Sequence, residues 1–253
     1  MTGADRFTDK AEKYEKYRPS YPKQSLDIIQ YECHITLNND IVVADIGSGT
    51  GKFTELLLEK YCKVYAVEPN DNMRAIAEDK FIGNLNYKSI NNTAENTGLD
   101  DNSVDLITVA QALHYFDVEK VKIEFRRILK LNGKVALLWN FRYKESDFIK
   151  KKKKIVYTFH SKDLQPTFAQ DKMNDSVYNK LFSEYKVFSI PYIQELDFDD
   201  LWGRVLSSNH APKKDDPNYD ELYKNIKKIF DKYQHNKKIN FEYHTKVVIG
   251  NIN

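Results

Sequence analysis

The stretch that most limits what this chain can fold into is Val42-Val43-Ala44-Asp45-Ile46-Gly47-Ser48-Gly49-Thr50-Gly51. An apolar run leads to an acid and then to three glycines at alternate positions. Phe53, Leu56 and Leu57 follow at helical spacing. The pattern predicts a buried strand, a tight turn and a helix start. Glycine there lets the backbone approach a ligand closely, and N–H groups at the helix start are expected to face that ligand. A tight strand-to-helix turn with no ligand has the same local pattern.

The glycine spacing separates two ligand classes. A dinucleotide fingerprint needs Gly-x-Gly-x-x-Gly, with the third glycine packing helix on strand. Here the glycines are Gly47, Gly49 and Gly51, and position 52 is Lys. A nicotinamide-dependent dehydrogenase is therefore disfavoured. A second apolar run, Lys63-Val64-Tyr65-Ala66-Val67, ends at Glu68. That is about 20 residues on, where a nucleoside-binding α/β fold places a carboxylate for the ribose hydroxyls.

With Asp45 to Gly51, Glu68 at the second strand end and Val104-Asp105-Leu106-Ile107, the chain resembles class I S-adenosylmethionine-dependent methyltransferases. Within them it resembles most the small-molecule branch that includes trans-aconitate methyltransferases. The resemblance covers Phe7 to about Phe141 and, weakly, the C-terminal part. It implies a Rossmann-like three-layer α/β sandwich around a seven-stranded, mostly parallel sheet. The implied strand order is 3-2-1-4-5-7-6, with the last strand antiparallel. It also implies S-adenosyl-L-methionine as cofactor, held by the Asp45, Gly47, Ser48, Gly49 and Gly51 turn, by Glu68 and Pro69, and by Gln111 after strand four. Met73 would lie against the adenine, although core filling also suits a methionine. Ala94 and Glu95 would read the adenine edge, although Glu95 also suits a solvated loop acid.

Residues 1–22 are polar and aromatic. Phe7, Ala11, Tyr14 and Tyr17 or Arg18 share one helical face that Pro19 ends. A packed N-terminal helix accounts for this. The resemblance instead makes the segment a lid, with Tyr14, Arg18 and Tyr21 closing over the cofactor's methionyl end. An arginine fork suits its carboxylate.

The remaining chain is expected to build the acceptor side. His114 leaves strand four, and Asn140 and Arg142 leave strand five, at the carboxyl edge where open α/β sheets bind ligands. Trp202 and Arg204 lie on a later helix, with Ser207 and Ser208 behind them. His114 is the candidate base; a histidine packed against a loop carbonyl is the plainer reading. Arg142 and Arg204 suit a substrate carboxylate, as the trans-aconitate resemblance suggests, or an internal acid. Residues from about 143 to 180 form an insertion between strands five and six. Its five-lysine run, Lys150 to Lys154, reads as a solvated helix face, although polybasic runs also bind nucleic acid or lipid.

The bulk numbers narrow the classes further. A chain of 253 residues, 41% hydrophobic and without an internal repeat or long linker, suits a single domain. With 39 basic and 37 acidic residues the net charge is +2, which gives no general attraction to nucleic acid or anionic membrane. Residues 110–113 read Ala-Gln-Ala-Leu rather than the Asn/Asp-Pro-Pro-aromatic pattern of enzymes acting on nucleic-acid amines. Neither Cys33 nor Cys62 follows a proline, as a cytosine C5 enzyme would need. The two cysteines lack metal spacing and suit free thiols in a cytoplasmic protein, and no apolar run has membrane-span or signal-peptide character. The expectation is methyl transfer to a small-molecule acceptor, with a non-catalytic cofactor-binding partner protein as the alternative.

Overall fold

The computed structural model describes residues 11–35, 40–61, 63–142, 146–159, 174–207, 211–212 and 214–252. The side chain of Arg142 also lies outside this description. Two short helices, α1 (Ala11–Tyr17) and α2 (Gln24–Glu32), precede the first strand. Then come β1 (Val42–Ile46), α3 (Lys52–Leu58), β2 (Lys63–Val67), α4 (Asp71–Lys80), β3 (Tyr87–Ile90), β4 (Val104–Ala110), α5 (Val118–Ile128) and β5 (Leu129–Arg142). The second half runs α6 (Asp147–Thr158), α7 (Asp175–Leu181), β6 (Phe182–Leu196), α8 (Phe198–Leu206), α9 (Tyr219–Tyr233) and β7 (Ile239–Ile252).

The seven strands form one sheet in the order β3-β2-β1-β4-β5-β7-β6. β7 runs antiparallel to both neighbours, as expected from the resemblance. The central strands are apolar on both faces because helices cover both sides. Val43, Leu106, Ala136 and Leu138 pack on one face with Leu26 of α2 and Phe53 and Leu57 of α3. Ala44, Ile107, Leu137 and Trp139 pack on the other with Val121, Phe125 and Ile128 of α5. The period of two along each strand sorts side chains between these cores. Pro191 sits on β6, the sheet edge, where its missing N–H costs no interior ladder bond.

β6 and β7 stay paired beyond the end of β5 and extend past the carboxyl edge of the sheet. There Leu196, Ile239, Phe241 and Tyr243 form a third core with Phe148 and Ile149 of α6, Leu201 and Val205 of α8, and Leu222, Ile226 and Phe230 of α9. These helices cap one end of the molecule. The lysine run lies on α6 and departs from the expected solvated face. Lys150 and Lys154 are exposed, but Lys152 is buried, with its ammonium 5.9 Å from the centre of the Phe241 ring. Among the described residues no helix is long and apolar enough to cross a membrane.

Candidate active site at the carboxyl edge of the sheet

The glycine turn follows β1 directly. Gly47 has φ +68°, and a Cβ there would lie 2.5 Å from the Cβ of Ala112, so the close approach of the strand-four exit requires glycine. Gly49 has φ +58°, and a Cβ there would meet only the Met73 sulfur, at 3.7 Å. The turn thus packs tightly behind Gly47 and stays open at Gly49, beside Met73.

The N–H groups of the turn are spent differently from the sequence expectation. Those of Gly47 and Ser48 donate to the Val67 carbonyl at 2.8 and 3.2 Å, and that of Gly51 to Ser48 O at 3.0 Å. The Gly49 N–H donates to Glu68 Oε2 at 2.9 Å, and the Asn70 N–H to Glu68 Oε1 at 2.8 Å. Three N–H groups that could have faced a ligand, those of Gly47, Ser48 and Gly49, instead lock the turn onto the end of β2. Each Glu68 oxygen holds one N–H and retains acceptor capacity, since a carboxylate offers about four lone-pair sites. Burial raises the Glu68 pKa, against the pull of the Asn70 and Gly49 N–H groups. Pro69 follows half-buried, and the Asn70 side chain caps α4 by accepting from Met73 N at 2.9 Å. This turn fits an adenosyl group: an open backbone at Gly49, an acceptor-rich carboxylate and the apolar Met73 side chain adjoin one another.

Asp45 has another place. It is fully buried inside the sheet, where its carboxylate accepts from Thr54 Oγ1 at 2.7 Å and Thr108 Oγ1 at 2.8 Å. Burial raises its pKa to about 6 despite both hydroxyls. It ties β1 to α3 and β4 and supports the turn from behind.

Across the sheet, Ala94 is buried in the α5-side core. Glu95 is half-buried and its Oε1 accepts from the Asp117 N–H, at the start of α5, at 3.0 Å. Gln111 leaves β4 with φ +62°, a left-handed conformation that costs a non-glycine residue on the order of 1–3 kcal/mol. Its N–H donates to the Leu138 carbonyl at 2.9 Å. Such strain is held by the surrounding ladder, and here it turns the chain sharply at the carboxyl edge.

The N-terminal segment lies over the turn as a strap. Glu15 Oε2 accepts from Thr50 Oγ1 at 2.5 Å and lies 3.5 Å from Lys52 Nζ, while Oε1 lies 3.1 Å from Lys80 Nζ. Lys52, standing where a dinucleotide site has glycine, also donates to the Glu15 carbonyl. Burial pushes the Glu15 pKa up, but the Thr50 hydroxyl and the two lysines outweigh it and leave it lowered. The other side of α1 meets α8. A Cβ on Gly203 would lie 2.2 Å from the Tyr17 ring, so that ring rests on α8 backbone. Arg18 Nε donates to Ser207 Oγ at 3.1 Å. Tyr21 is a core residue, edge-on to Phe53 at 5.1 Å. Tyr14 lies between, under the Arg18 guanidinium at 5.5 Å. Burial raises its pKa; Arg18 pulls it down and Glu68 pushes it up. Glu15, Thr50 and Lys52 were missed in the sequence, where the only signal was the polar face of α1.

The expected acceptor residues divide between the two faces of the sheet. His114 sits in a single 3₁₀ turn, its ring 3.7 Å from Tyr115 and edge-on to Trp139 at 4.9 Å, on the α5 side. Asn140 alternates to the other side. Its Nδ2 donates to the Ser20 carbonyl at 3.1 Å and its Oδ1 accepts from Thr245 Oγ1 at 2.6 Å. Arg204 is buried, donating to Gln194 Oε1 at 2.6 Å, with its guanidinium 5.3 Å from the Phe241 ring and 5.2 Å from that of Tyr243. Trp202 packs against the third core. It points along α8 into an aromatic group, edge-on to Tyr219 and Tyr223 at 5.3 and 5.2 Å. Arg142 is the last residue of β5, and its backbone pairs with Tyr243. Ser208 and Phe7 lie outside the described residues, as does Cys62.

A methyltransferase-domain family model matches residues 44–137, the span from β1 through the middle of β5. An uncharacterised methyltransferase-like protein of Schizosaccharomyces pombe is 32% identical over 195 residues, 77% of this chain and 73% of that protein. An uncharacterised methyltransferase of Mycobacterium bovis is 34% identical over 143 residues, covering 56% of this chain and 55% of its own length. Among solved structures, one from Anaeromyxobacter dehalogenans shares the fold with a TM-score of 0.62 at 17% identity, over 92% of this chain and 97% of the other. Phosphoethanolamine N-methyltransferase 2 of Haemonchus contortus, solved with S-adenosylhomocysteine, gives 0.55 at 14% identity, over 99% of this chain and 60% of that one. The chain belongs to the class I S-adenosylmethionine-dependent methyltransferases. Its cofactor is S-adenosylmethionine.

Proposed function

We propose that the chain, read as a single domain with a lid (residues 1–22) and an insertion (about 143–180), methylates a small, partly anionic acceptor in the cytoplasm, a carboxylate as in trans-aconitate methyltransferases. The observation that carries this is Arg204: a buried guanidinium, held by Gln194 over two aromatic rings, beyond the strand end that carries Asn140. Buried arginine forks suit carboxylates, and charge pairing strengthens away from water.

In this reading the Gly47–Gly51 turn and Ser48 cradle the cofactor backbone, and Glu68 accepts from its ribose hydroxyls. Pro69, Met73, Ala94 and Glu95 border the adenine. Gln111, Tyr14 and Arg18 border the methionyl end, with Tyr21 and Asp45 holding those segments from the core. When bound, S-adenosylmethionine supplies a methyl group already activated on a positively charged sulfur. The chain's own work is then mainly to hold the acceptor in line, which contributes roughly 7–11 kcal/mol in well-oriented reactions. Arg204 and Asn140 orient the acceptor, Arg142 is a further cation of the strand that carries Asn140, and His114 approaches from the α5 side.

The test is methyl transfer from S-adenosylmethionine to a panel of small carboxylates, phenols and amines, with His114→Ala alongside. A carboxylate has no proton to lose, so for it the variant loses less than about tenfold, with no pH dependence near 6.5. An acceptor that must be deprotonated gives a loss of about 10²-fold or more. Turnover of phenols or amines with no carboxylate turned over would defeat the carboxylate reading.

A further inference from the structure

α1 is held in place by its side chains rather than by its own backbone or by core packing. Its seven residues fall short of the roughly 12–15 that an isolated helix needs in water, and Ala11 alone among them is buried. α2 behind it is anchored in the core by Leu26 and Ile29. Pro19 and Pro22 bound the link between the two, and the Asn140 amide fixes the Ser20 carbonyl of that link at 3.1 Å. A short helix on an anchored link opens locally at little cost. On the cofactor side its polar contacts converge on one carboxylate. Glu15 Oε2 accepts from Thr50 Oγ1 at 2.5 Å and lies 3.5 Å from Lys52 Nζ, and Oε1 lies 3.1 Å from Lys80 Nζ. Lys80 is itself oriented by Glu55 of α3, at 2.8 Å. Thr50 belongs to the glycine turn, Lys52 opens α3, and Lys80 ends α4, the helix that carries Met73. One side chain therefore ties α1 to all three pieces of the cofactor cradle. Tyr17 and Arg18 tie the same helix to α8.

We propose that Glu15, Thr50, Lys52 and Lys80 form an ionic latch that sets how fast S-adenosylmethionine enters and leaves, not how tightly it is held. This rests on the Gly47–Gly51 turn being the cofactor cradle. The members of the latch bond to one another and not to the cofactor, so the closed state gains equally before and after loading. Releasing the latch then lowers the barrier in both directions and leaves the equilibrium nearly unchanged. Lys52 is a positioning residue: where a dinucleotide site carries glycine, its side chain reaches across the turn and holds α1 down. The charges are partly exposed, so salt loosens them. The link at Ser20 stays fixed while α1 swings.

The experiment measures association and release of tritiated S-adenosylmethionine on the full chain, at low and at high potassium chloride. Release is followed by a chase with excess unlabelled S-adenosylhomocysteine, and affinity by calorimetry. At low salt Glu15→Gln and Lys52→Met are each expected to speed association and release together by about five- to tenfold, with affinity changed by less than about threefold. Lys52→Arg keeps the charge and is expected to stay within about twofold of the wild type in both rates. High salt should speed release from the wild type and leave that from Glu15→Gln nearly as it was. Both rates unchanged in Glu15→Gln and Lys52→Met would overturn the proposal. So would faster release with unchanged association, since a loosened turn weakens binding in that way and a latch does not. Glu68→Ala, measured alongside, separates the two readings. If it weakens binding while the latch variants keep wild-type rates, the latch alone fails; if it leaves binding unchanged, the cradle reading fails and the latch with it.

Discussion

The two ends of the site are built by different means. The glycine turn and Glu68 are local: residues 45–54 and 67–73 fold onto each other through bonds between adjacent strand ends. The cap is assembled from distant pieces. Lys152, Gln194, Arg204 and Tyr243 come from four elements and meet only because β6 and β7 overshoot the sheet. At one end backbone N–H groups and a carboxylate satisfy one another; the other is held mainly by apolar packing, and among the described residues the Tyr243 hydroxyl has no hydrogen-bond partner. This matches the division of work we propose. A cofactor common to a family needs one fixed cradle, whereas an acceptor particular to one member needs a surface that can vary without disturbing the sheet.

The largest predicted effect lies under the turn. Asp45 has a folded pKa of about 6 against an ordinary 3.8. Between those values the folded state binds more protons than the unfolded state, so this group's contribution to stability falls as pH rises through that window. The full difference is roughly 3 kcal/mol. Asp45→Asn keeps the shape without the charge and should remove this part of the slope. Urea unfolding of both proteins at pH 4 and pH 7 measures it. Identical pH dependence would show that Asp45 is not charged at a cost.

Next comes Glu68, which is both a brace and a ligand candidate. Glu68→Ala leaves two backbone N–H groups without their acceptor and, in our reading, removes the ribose acceptor. S-adenosylmethionine affinity should fall about ten- to a hundred-fold, the equivalent of 1.4–2.7 kcal/mol. The turn should also loosen, so amide exchange at Gly49 rises. Faster exchange with unchanged affinity would leave Glu68 as a brace only.

The contrast between the two ends also explains what the sequence disclosed. The strand order came from the family resemblance alone, since periodicity does not say which strands are neighbours, whereas the turn was legible because it rests on apolar runs, glycines and an acid at fixed spacing within one βαβ unit. Even there, the fate of the turn's N–H groups was not legible, since Val67 O and Glu68 reach them from the next strand. Trp202 and Arg204 were read together as acceptor residues, yet two positions apart on α8 they point in different directions. Lys152 was read as solvated with its neighbours because no local pattern tells which lysine of five will meet Phe241. Tyr243 carried no signal, since an aromatic residue in an alternating strand is ordinarily core.

The smallest effect tests the strap that joins the two ends. Glu15 contacts Thr50, Lys52 and Lys80 on the cofactor side, while its neighbours Tyr17 and Arg18 touch Gly203 and Ser207 on the cap side. Its lowered pKa means that its contribution is present above the ordinary carboxylate range and is lost as pH falls through the lowered value. The pairs are partly exposed, so each contributes at most about 1 kcal/mol and salt screens it. Glu15→Gln should therefore weaken cofactor affinity by less than about tenfold. It should nevertheless speed amide exchange across Ala11–Tyr17, and the difference from wild type should shrink at high salt. Exchange that is identical in the two proteins at low salt would mean that α1 is held from the cap side alone, through Tyr17 on Gly203. The strap would then follow the cap and not the cofactor turn.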